Sequence, residues 1–312
     1  MWTSPPIPLI LWILLLSTGK VSAGVPEEFQ KLSRAENLAR LEKCGRTLHA
    51  CSSSIRARDA PWLVNFVLPS GYEDQNHVYN GIMISDRHIL TNYMFFQLVN
   101  ELGRSKTPPR DHDCHNAHTT IGFNMTERQW PEIKVEYEDC IDSNCTETRI
   151  NTRTVKKASL IGDCIYKSRY MMVILEVNES MASTPICVQG ANPSKSPSGV
   201  WGPVQSVHDI PHLLTDTSSI NCNGMKSGRE WFGSREGKIF CTSGARLEKK
   251  RVFGAVMLRN QKVNWNHEER WVLYGISMQD RGYFYPESYY GPYREVFYIL
   301  NQICATAGIC EM

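Results

Sequence analysis

Residues 111–118 form the densest cluster of side chains that could bind a metal ion. The segment reads DHDCHNAH, which combines the His, Cys and Asp ligands that zinc accepts, and its three histidines recur at every third position. The neighbouring Pro108 and Pro109 instead favour a polar surface loop, in which Cys114 is half of a disulfide. We therefore predict no metal site and no cofactor.

The cysteines are the second group of reactive residues. All eleven are scattered as single residues, without the Cys-x-x-Cys spacing of zinc sites, which is typical of disulfides in an oxidising compartment. Because the number is odd, at least one thiol is free or pairs with another chain. The disulfide candidates are Cys44, Cys51, Cys114, Cys140, Cys145, Cys164, Cys187, Cys222, Cys241, Cys304 and Cys310.

The first 23 residues are typical of an export signal. An apolar run over residues 7–16 precedes Val21-Ser22-Ala23, the small-x-small pattern of a signal-peptidase site. The run is too short for a bilayer, which needs about twenty apolar residues, although a retained anchor is the alternative. We expect a secreted, extracellular chain that begins at Gly24 and has no membrane span. Three Asn-x-Ser/Thr sequons then predict glycosylation at Asn124, Asn144 and Asn178.

The charge pattern gives no sign of nucleic-acid binding. The formal net charge is +2, and the 34 basic and 32 acidic residues are interleaved along the chain. A nucleic-acid-binding protein is expected to concentrate its basic residues on one surface. We therefore exclude nucleic acid from the predicted partners.

The elements that position these residues are mostly short strands. Residues 24–43 have an amphipathic helical pattern and begin an N-terminal arm that we assign to residues 24–59. From residue 60 onward, short apolar runs alternate with turn residues, which predicts a β-sandwich or barrel. The predicted strands include residues 62–67, 81–84, 133–137, 171–175, 252–258 and 271–274, whereas 104–118 and 191–200 are predicted loops, and Tyr293 to Ile303 is a predicted helix.

Five segments, in order, resemble landmarks of the trypsin/chymotrypsin-like serine proteases (peptidase family S1). They are residues 60–64 (APWLV), 81–91 (GIMISDRHILT), 185–187 (PIC), 274–277 (YGIS) and 291–296 (GPYREV). Cys44-Gly45 and the ending from Cys304 to Cys310 are similar to a divergent secreted branch that is expanded in nematodes, in which many members have lost catalytic residues.

The resemblance implies an all-β fold of two antiparallel six-stranded barrels with the active site between them. It places the trypsin-like domain at residues 60–303, with barrels at roughly 60–185 and 186–290, followed by a C-terminal helix and a Cys-containing tail at 304–312. In such a site, His accepts the proton of Ser and Asp fixes the His tautomer.

At two of the three triad positions, the resemblance implies residues that cannot act as a base or as its orienting acid. After Leu90-Thr91 the family has its histidine, but this chain has Met94, and Met171 stands where the family aspartate opens its strand. A thioether cannot accept a proton at neutral pH, and it has no charge with which to orient an imidazole. His88, six residues before Met94, is predicted to have a structural role.

The nucleophile position depends on which landmark is aligned. Aligning Ser-Gly selects Ser243, aligning the upstream cysteine selects Ala245, and aligning the start of the next strand selects Phe253. Of these three, only Ser243 retains a hydroxyl. The bracketing disulfide of the family histidine is also missing, because Tyr79 and Phe95 replace its cysteines.

Aromatic residues are concentrated between residues 283 and 298. We predict that Phe297 and Tyr298 lie in the core, and that residues 283–290 are partly exposed and supply a binding surface.

The sequence thus predicts a secreted, inactive protease homologue that binds an unknown protein or glycan. The alternative is an active secreted endopeptidase in which Ser243 uses a non-standard base, such as His88 or His267. A third possibility is a metal-dependent or structural glycoprotein that only retains the fold.

Overall fold

The computed structural model describes residues 29–47, 60–67, 77–93, 121–124, 132–162, 172–189, 199–201, 213–214, 218–220, 239–243, 251–253, 256–277 and 289–311. The strands are β1 Leu63–Val67, β2 His77–Met83, β3 His88–Asn92, β4 Ile121–Asn124, β5 Lys134–Cys140, β6 Thr148–Ile161, β7 Met172–Val177, β8 Gly199–Trp201, β9 Leu213–Leu214, β10 Ser218–Ile220, β11 Ile239–Ser243, β12 Arg251–Phe253, β13 Val256–Lys262, β14 Glu269–Ser277 and β15 Tyr289–Glu295. The helices are α1 Arg34–Lys43, a 3-10 helix Val296–Ile299 and α2 Leu300–Ala307. The predicted all-β class with a helix toward each end is confirmed.

The first barrel is a closed sheet of six antiparallel strands. Their order is β1-β5-β6-β7-β3-β2, and β2 pairs back to β1 through Leu63 opposite Ile82. Strand β4 adds to β6, and β12 adds to β2 in parallel orientation. Closure gives the backbone groups of these strands partners on both sides over the paired residues.

The second sheet has seven strands in the order β10-β11-β15-β14-β13-β8-β9. Its two terminal strands, β9 and β10, are separated by only three residues along the chain, 215–217. The ends of the sheet are therefore consecutive in sequence, as expected where one strand divides in two and the sheet curls into a second barrel.

One apolar core joins the two sheets. The side chains of Trp62, Ile82 and Val173 from the first barrel belong to the same cluster as Leu273 from the second sheet and Ile303 from α2. All five are at most 1% exposed. The two barrels are therefore held by shared apolar burial, which is the main favourable term in folding.

The helix α1 begins later than the amphipathic pattern predicted, because a capping box fixes its start. The hydroxyl of Ser33 accepts a hydrogen bond from the Glu36 N–H at 3.2 Å, and the Glu36 carboxylate accepts one from the Ser33 N–H at 2.7 Å. The helix also packs on the end of the chain, since the side-chain amide of Asn37 donates to the Cys310 carbonyl at 2.9 Å.

The arm is anchored where residues 44–46 enter the junction of the two barrels. A disulfide joins Cys44 to Cys187, and both cysteines are fully buried. Gly45 donates its N–H to the Pro185 carbonyl at 2.8 Å and accepts the Trp271 N–H at 3.0 Å. Gly45 has φ +64°, and a Cβ added there would lie 2.3 Å from the Trp271 carbonyl oxygen. We name these contacts the arm junction.

Two sequence predictions about the C-terminal region are wrong. The predicted helix from Tyr293 is interrupted because residues up to Glu295 form β15, which hydrogen bonds with β11 and β14. Phe297 and Tyr298 are not in the core: they are 48% and 41% exposed and meet edge to face, with ring centroids 5.5 Å apart. Val296 and Ile299 supply the buried side of the 3-10 helix instead.

Strand β6 was not predicted, although it is the longest of the described strands at 14 residues. Its first half alternates Thr and charged or polar residues and contains few apolar side chains, so it does not show the hydrophobic run on which the predicted strands were based. Residues 199 and 200, predicted as part of a loop, belong to β8, which pairs with β13.

Replacing Gly45 with alanine is expected to lower the free energy of unfolding by at least about 2 kcal/mol, because the new Cβ meets backbone atoms at a positive φ. Chemical denaturation without reductant measures the effect. The control is Arg46→Ala, which removes a 56% exposed side chain from a surface ion pair and should cost about 0.5 kcal/mol or less. Equal stability of the two variants would contradict the arm junction as described.

Candidate functional site

The register of β3 and β7 brings described residues that flank two of the expected triad positions to one end of the first barrel. Asn92, the last residue of β3, lies opposite Met172, the first residue of β7, in an antiparallel pair. The chain segment that leaves β3 and the one that enters β7 therefore start from the same edge of the sheet. Met94 and Met171 follow and precede these residues, and both lie just outside the described residues.

Two of the three candidates for the nucleophile position, Ser243 and Phe253, are described and lie in different parts of the fold. Ser243 is the last residue of β11, between Ser218 of β10 and Tyr289 of β15. Phe253 ends β12, which pairs with the first barrel through Phe253 opposite Tyr79. Ala245 lies outside the described residues. Among the described residues, Phe253 is thus the candidate whose backbone pairs with the barrel that contains β3 and β7.

His88, the first residue of β3, lies at the opposite end of that strand from Asn92. His88 is fully buried, and its Nδ1 lies 2.8 Å from the hydroxyl oxygen of Ser85. The same hydroxyl oxygen accepts the backbone N–H groups of Arg87 and His88, which holds the β2–β3 turn. Burial, with a smaller contribution from the nearby Arg87 charge, lowers the pKa of His88 to about 3. A base of this strength does not accept a serine proton at neutral pH.

The arm covers His88 from outside the barrel. The ring of Phe29 stacks on the imidazole, with centroids 6.2 Å apart. The next residue, Gln30, donates its backbone N–H to the Glu176 carboxylate at 2.8 Å. Glu176 is buried opposite His88 on β7, and its other oxygen lies 4.0 Å from the ammonium nitrogen of Lys157. No local sequence pattern predicts this cluster, because Gln30 and Glu176 are 146 residues apart.

Three disulfides lie within the described residues. They join Cys44 to Cys187, Cys140 to Cys145 and Cys304 to Cys310. Cys241 lies in β11, and the remaining candidates, Cys51, Cys114, Cys164 and Cys222, fall outside the described part of the chain, as does the whole of residues 111–118. The described residues contain no group of three or more possible metal ligands.

Two of the three predicted glycosylation positions have described surroundings. Asn144 is exposed in the loop closed by the Cys140–Cys145 disulfide, and Asn178 is exposed after β7. Asn124 lies in β4, opposite Lys157 of β6. Within the described ranges, no helix has the length and apolar composition that crossing a bilayer requires.

The comparisons with known proteins agree with this architecture. The model of the nematode trypsin-6-like family matches residues 13–200. The crystal structure of the drosophila Grass clip serine protease of the Toll pathway is similar over 86% of this chain and 76% of that chain, with a TM-score of 0.56 and 16% sequence identity. This likeness shows the fold, a trypsin-like arrangement of β-barrels. No curated protein matches the chain.

Replacing His88 with glutamine is expected to weaken the pH dependence of stability between about pH 6.5 and pH 3. Folded His88 has a pKa of about 3, whereas an unfolded imidazole has a pKa near 6.5, so only the unfolded state binds this proton in that window. The stability from neutral His88 is complete above pH 6.5 and is lost as the pH falls, by at most about 1.4 kcal/mol per pH unit.

Chemical denaturation at pH 7.5, 5.5 and 4 measures these slopes. The control is His267→Asn, because His267 is exposed and asparagine tolerates its φ of 58°. If the free energy of unfolding changes with pH to the same extent in His88→Gln and in the unmodified protein, the pKa of His88 is not lowered by burial.

Proposed function

The chain belongs to the nematode trypsin-6-like family, and on that premise we propose that it is a secreted, catalytically inactive homologue of trypsin-like serine proteases that acts by binding another protein or a glycan. The observation that carries the proposal is the β3–β7 pairing. It brings the flanks of the two positions that the family uses for base and acid to one sheet edge, and methionines occupy both positions in the sequence.

The loss of either residue is enough to remove protease activity of the usual kind. A serine hydroxyl becomes a nucleophile when an adjacent base removes its proton, and a carboxylate holds that base in the right tautomer. Met94 and Met171 supply neither function. Removing members of such a unit lowers turnover by up to about six orders of magnitude.

The alternative, an active endopeptidase that uses Ser243, needs a base from elsewhere. His88 is buried beneath Phe29 with a pKa of about 3, so it supplies none at neutral pH. His267 lies in the turn between β13 and β14, whereas Ser243 is level with Tyr289 at the far end of β15. Measured along these strands, at about 3.3 Å per residue, His267 and Ser243 are on the order of 30 Å or more apart. Neither histidine supports the alternative.

The candidates for the nucleophile position also favour an inactive protein. The backbone of Ser243 has a neighbouring strand on each side, β10 and β15. Phe253, which has no hydroxyl, is beside Tyr79 of the first barrel. A reacting serine must approach the base that serves it, and that base would come from the first barrel.

The disulfides and the exposed aromatic pair support secretion and a binding role. Disulfides persist in oxidising compartments, and the described residues contain three of them. Phe297 and Tyr298 present two large rings to solvent beside the C-terminal helix. Exposed aromatic side chains contribute contact area at a low entropic cost, which suits the recognition of a protein or a glycan.

A fluorophosphonate probe tests the absence of catalysis, because it reacts with activated serines. The secreted protein is expected to show no stoichiometric labelling under conditions that label trypsin completely. Ser243→Ala is the matched control and should not change the background signal. Stoichiometric labelling that disappears in Ser243→Ala would establish the active alternative and overturn the proposal.

A further inference from the structure

Strands β5 and β6 extend beyond the barrel as a two-stranded ribbon. Strand β7 pairs with β6 only from Val155 onward, so residues 148–154 pair with β5 alone within the described part of the chain. The Cys140–Cys145 disulfide closes the tip of the ribbon, and Asp142 accepts the N–H of Thr146 there at 2.7 Å. The disulfide and this hydrogen bond therefore hold the tip of the ribbon together.

The base of the ribbon is fixed by Tyr137. Its side chain is fully buried, and its hydroxyl oxygen accepts the N–H of Ala182 at 3.3 Å. The guanidinium of Arg153 lies over the other side of the ring, 5.7 Å from the centroid. One face of the ribbon is thus attached to the barrel.

The direction of the backbone groups follows from two hydrogen bonds at the end of the ribbon. Val155 donates its N–H toward β5, to the Ile133 carbonyl at 2.9 Å. Thr154 faces the other way, because its N–H donates to the Asn178 side chain at 3.1 Å and its carbonyl accepts the Asn178 N–H at 2.9 Å. Backbone groups alternate in direction along a strand. Those of Thr148, Ile150 and Thr152 therefore point away from β5, as those of Thr154 do.

We name this side of residues 148–152 the open edge. No strand of the described residues pairs with it. The Thr152 carbonyl accepts a hydrogen bond from the exposed guanidinium of Arg153 at 3.0 Å, and its second lone pair remains for a strand partner. Ile150 is 39% exposed, and Thr152 is also exposed. Proteins usually block such an edge with lysine, proline or a covering loop, because unpaired strand edges recruit other strands. The open edge instead has β-branched residues at all three outward-facing positions, which favour strand pairing.

We propose that the open edge pairs with the open edge of a second copy of this chain, antiparallel and centred on Ile150. The two copies then share one four-stranded sheet across a two-fold axis, in which Ile150 of each copy faces Ile150 of the other. The backbone groups of Thr148, Ile150 and Thr152 form the new ladder.

The sequence around Ile150 is complementary to itself in this register. Residues 147–153 read ETRINTR. Antiparallel pairing about the central isoleucine puts each threonine opposite the other threonine, the first arginine opposite asparagine, and Glu147 opposite Arg153. Pairs of β-branched residues and pairs of opposite charge are the favourable cross-strand combinations. This complementarity selects a second copy over an unrelated strand.

The length of the ladder is limited at both ends. Asn178 already occupies the backbone of Thr154, and the chain turns at the Cys140–Cys145 loop on the other side. Such a short contact is smaller than the interfaces of stable dimers. We therefore expect a weak, reversible dimer, with a dissociation constant on the order of 100 µM.

Sedimentation velocity of the full secreted protein, from a few micromolar to several hundred micromolar, tests the dimer. Ile150→Lys should weaken association at least tenfold, because the two-fold axis puts two positive charges opposite each other. Ile141→Lys is the matched control: Ile141 is 57% exposed in the tip loop, outside the open edge, and its replacement should leave association unchanged.

A second variant separates edge pairing from general surface contact. Ile150→Pro removes an N–H that points away from β5, so the β5–β6 ladder keeps its bonds while the new ladder loses a donor. Circular dichroism shows whether each variant is folded, and if the proline variant is not, the lysine variant still decides the question. A chain that stays monomeric throughout the concentration range, or a dimer that Ile150→Lys and Ile141→Lys affect equally, would overturn the proposal.

The register is tested by cross-linking. Oxidised Ile150→Cys protein should give a disulfide-linked dimer on a non-reducing gel, because directly paired residues on neighbouring strands lie within disulfide range. Ile141→Cys should give no more dimer than the unmodified chain, which controls for its odd number of cysteines. Equal cross-linking at both positions would contradict the antiparallel register centred on Ile150.

Discussion

The arm junction is the contact on which the rest of the fold depends. A single buried disulfide, Cys44–Cys187, joins residues 143 positions apart and contributes roughly 5 kcal/mol in the chain-entropy account. Around it, Gly45 hydrogen bonds at once to the connector between the barrels and to β14. Only a glycine fits, since the backbone of Trp271 occupies the space of a side chain. The junction thereby fixes the arm, the connector and the second sheet to one another.

Because the arm is fixed at this point, it also seals one side of the first barrel. Phe29 and Gln30 pack on His88 and Glu176, which would otherwise present a titratable pair of residues to solvent. Two buried polar residues, His88 and Glu176, are therefore used to hold the arm, and the pKa of His88 is too low for acid–base chemistry at neutral pH. Under the proposed function, the absence of catalysis follows from the methionines at the two expected triad positions, and His88 supplies no base because it is buried.

The closed barrel constrains the register of its own strands more strongly than that of the β5–β6 ribbon. The strands within the closed barrel are buried and paired on both sides, so their register is fixed. The β5–β6 ribbon leaves the barrel and exposes both its tip and one edge, so its residues are constrained mainly by Tyr137 and by the tip disulfide. The proposed pairing with a second copy therefore uses the β5–β6 ribbon, which lies beyond the closed part of the sheet.

The sequence by itself determined the class of the fold, and it has methionines at the two positions that the resemblance assigns to the base and the acid. Short apolar strands with turn residues between them predict a sandwich or barrel, the resemblance to trypsin-like proteases implies two barrels, and the identities of Met94 and Met171 need no coordinates. Only the tertiary structure decided which surfaces are open. Phe297 and Tyr298 were expected in the core because they are aromatic, yet Val296 and Ile299 fill that space. Strand β6 has a polar first half, and only its pairing with β5 defines it. Local patterns record which residues are apolar, whereas long-range partners decide which of them are buried.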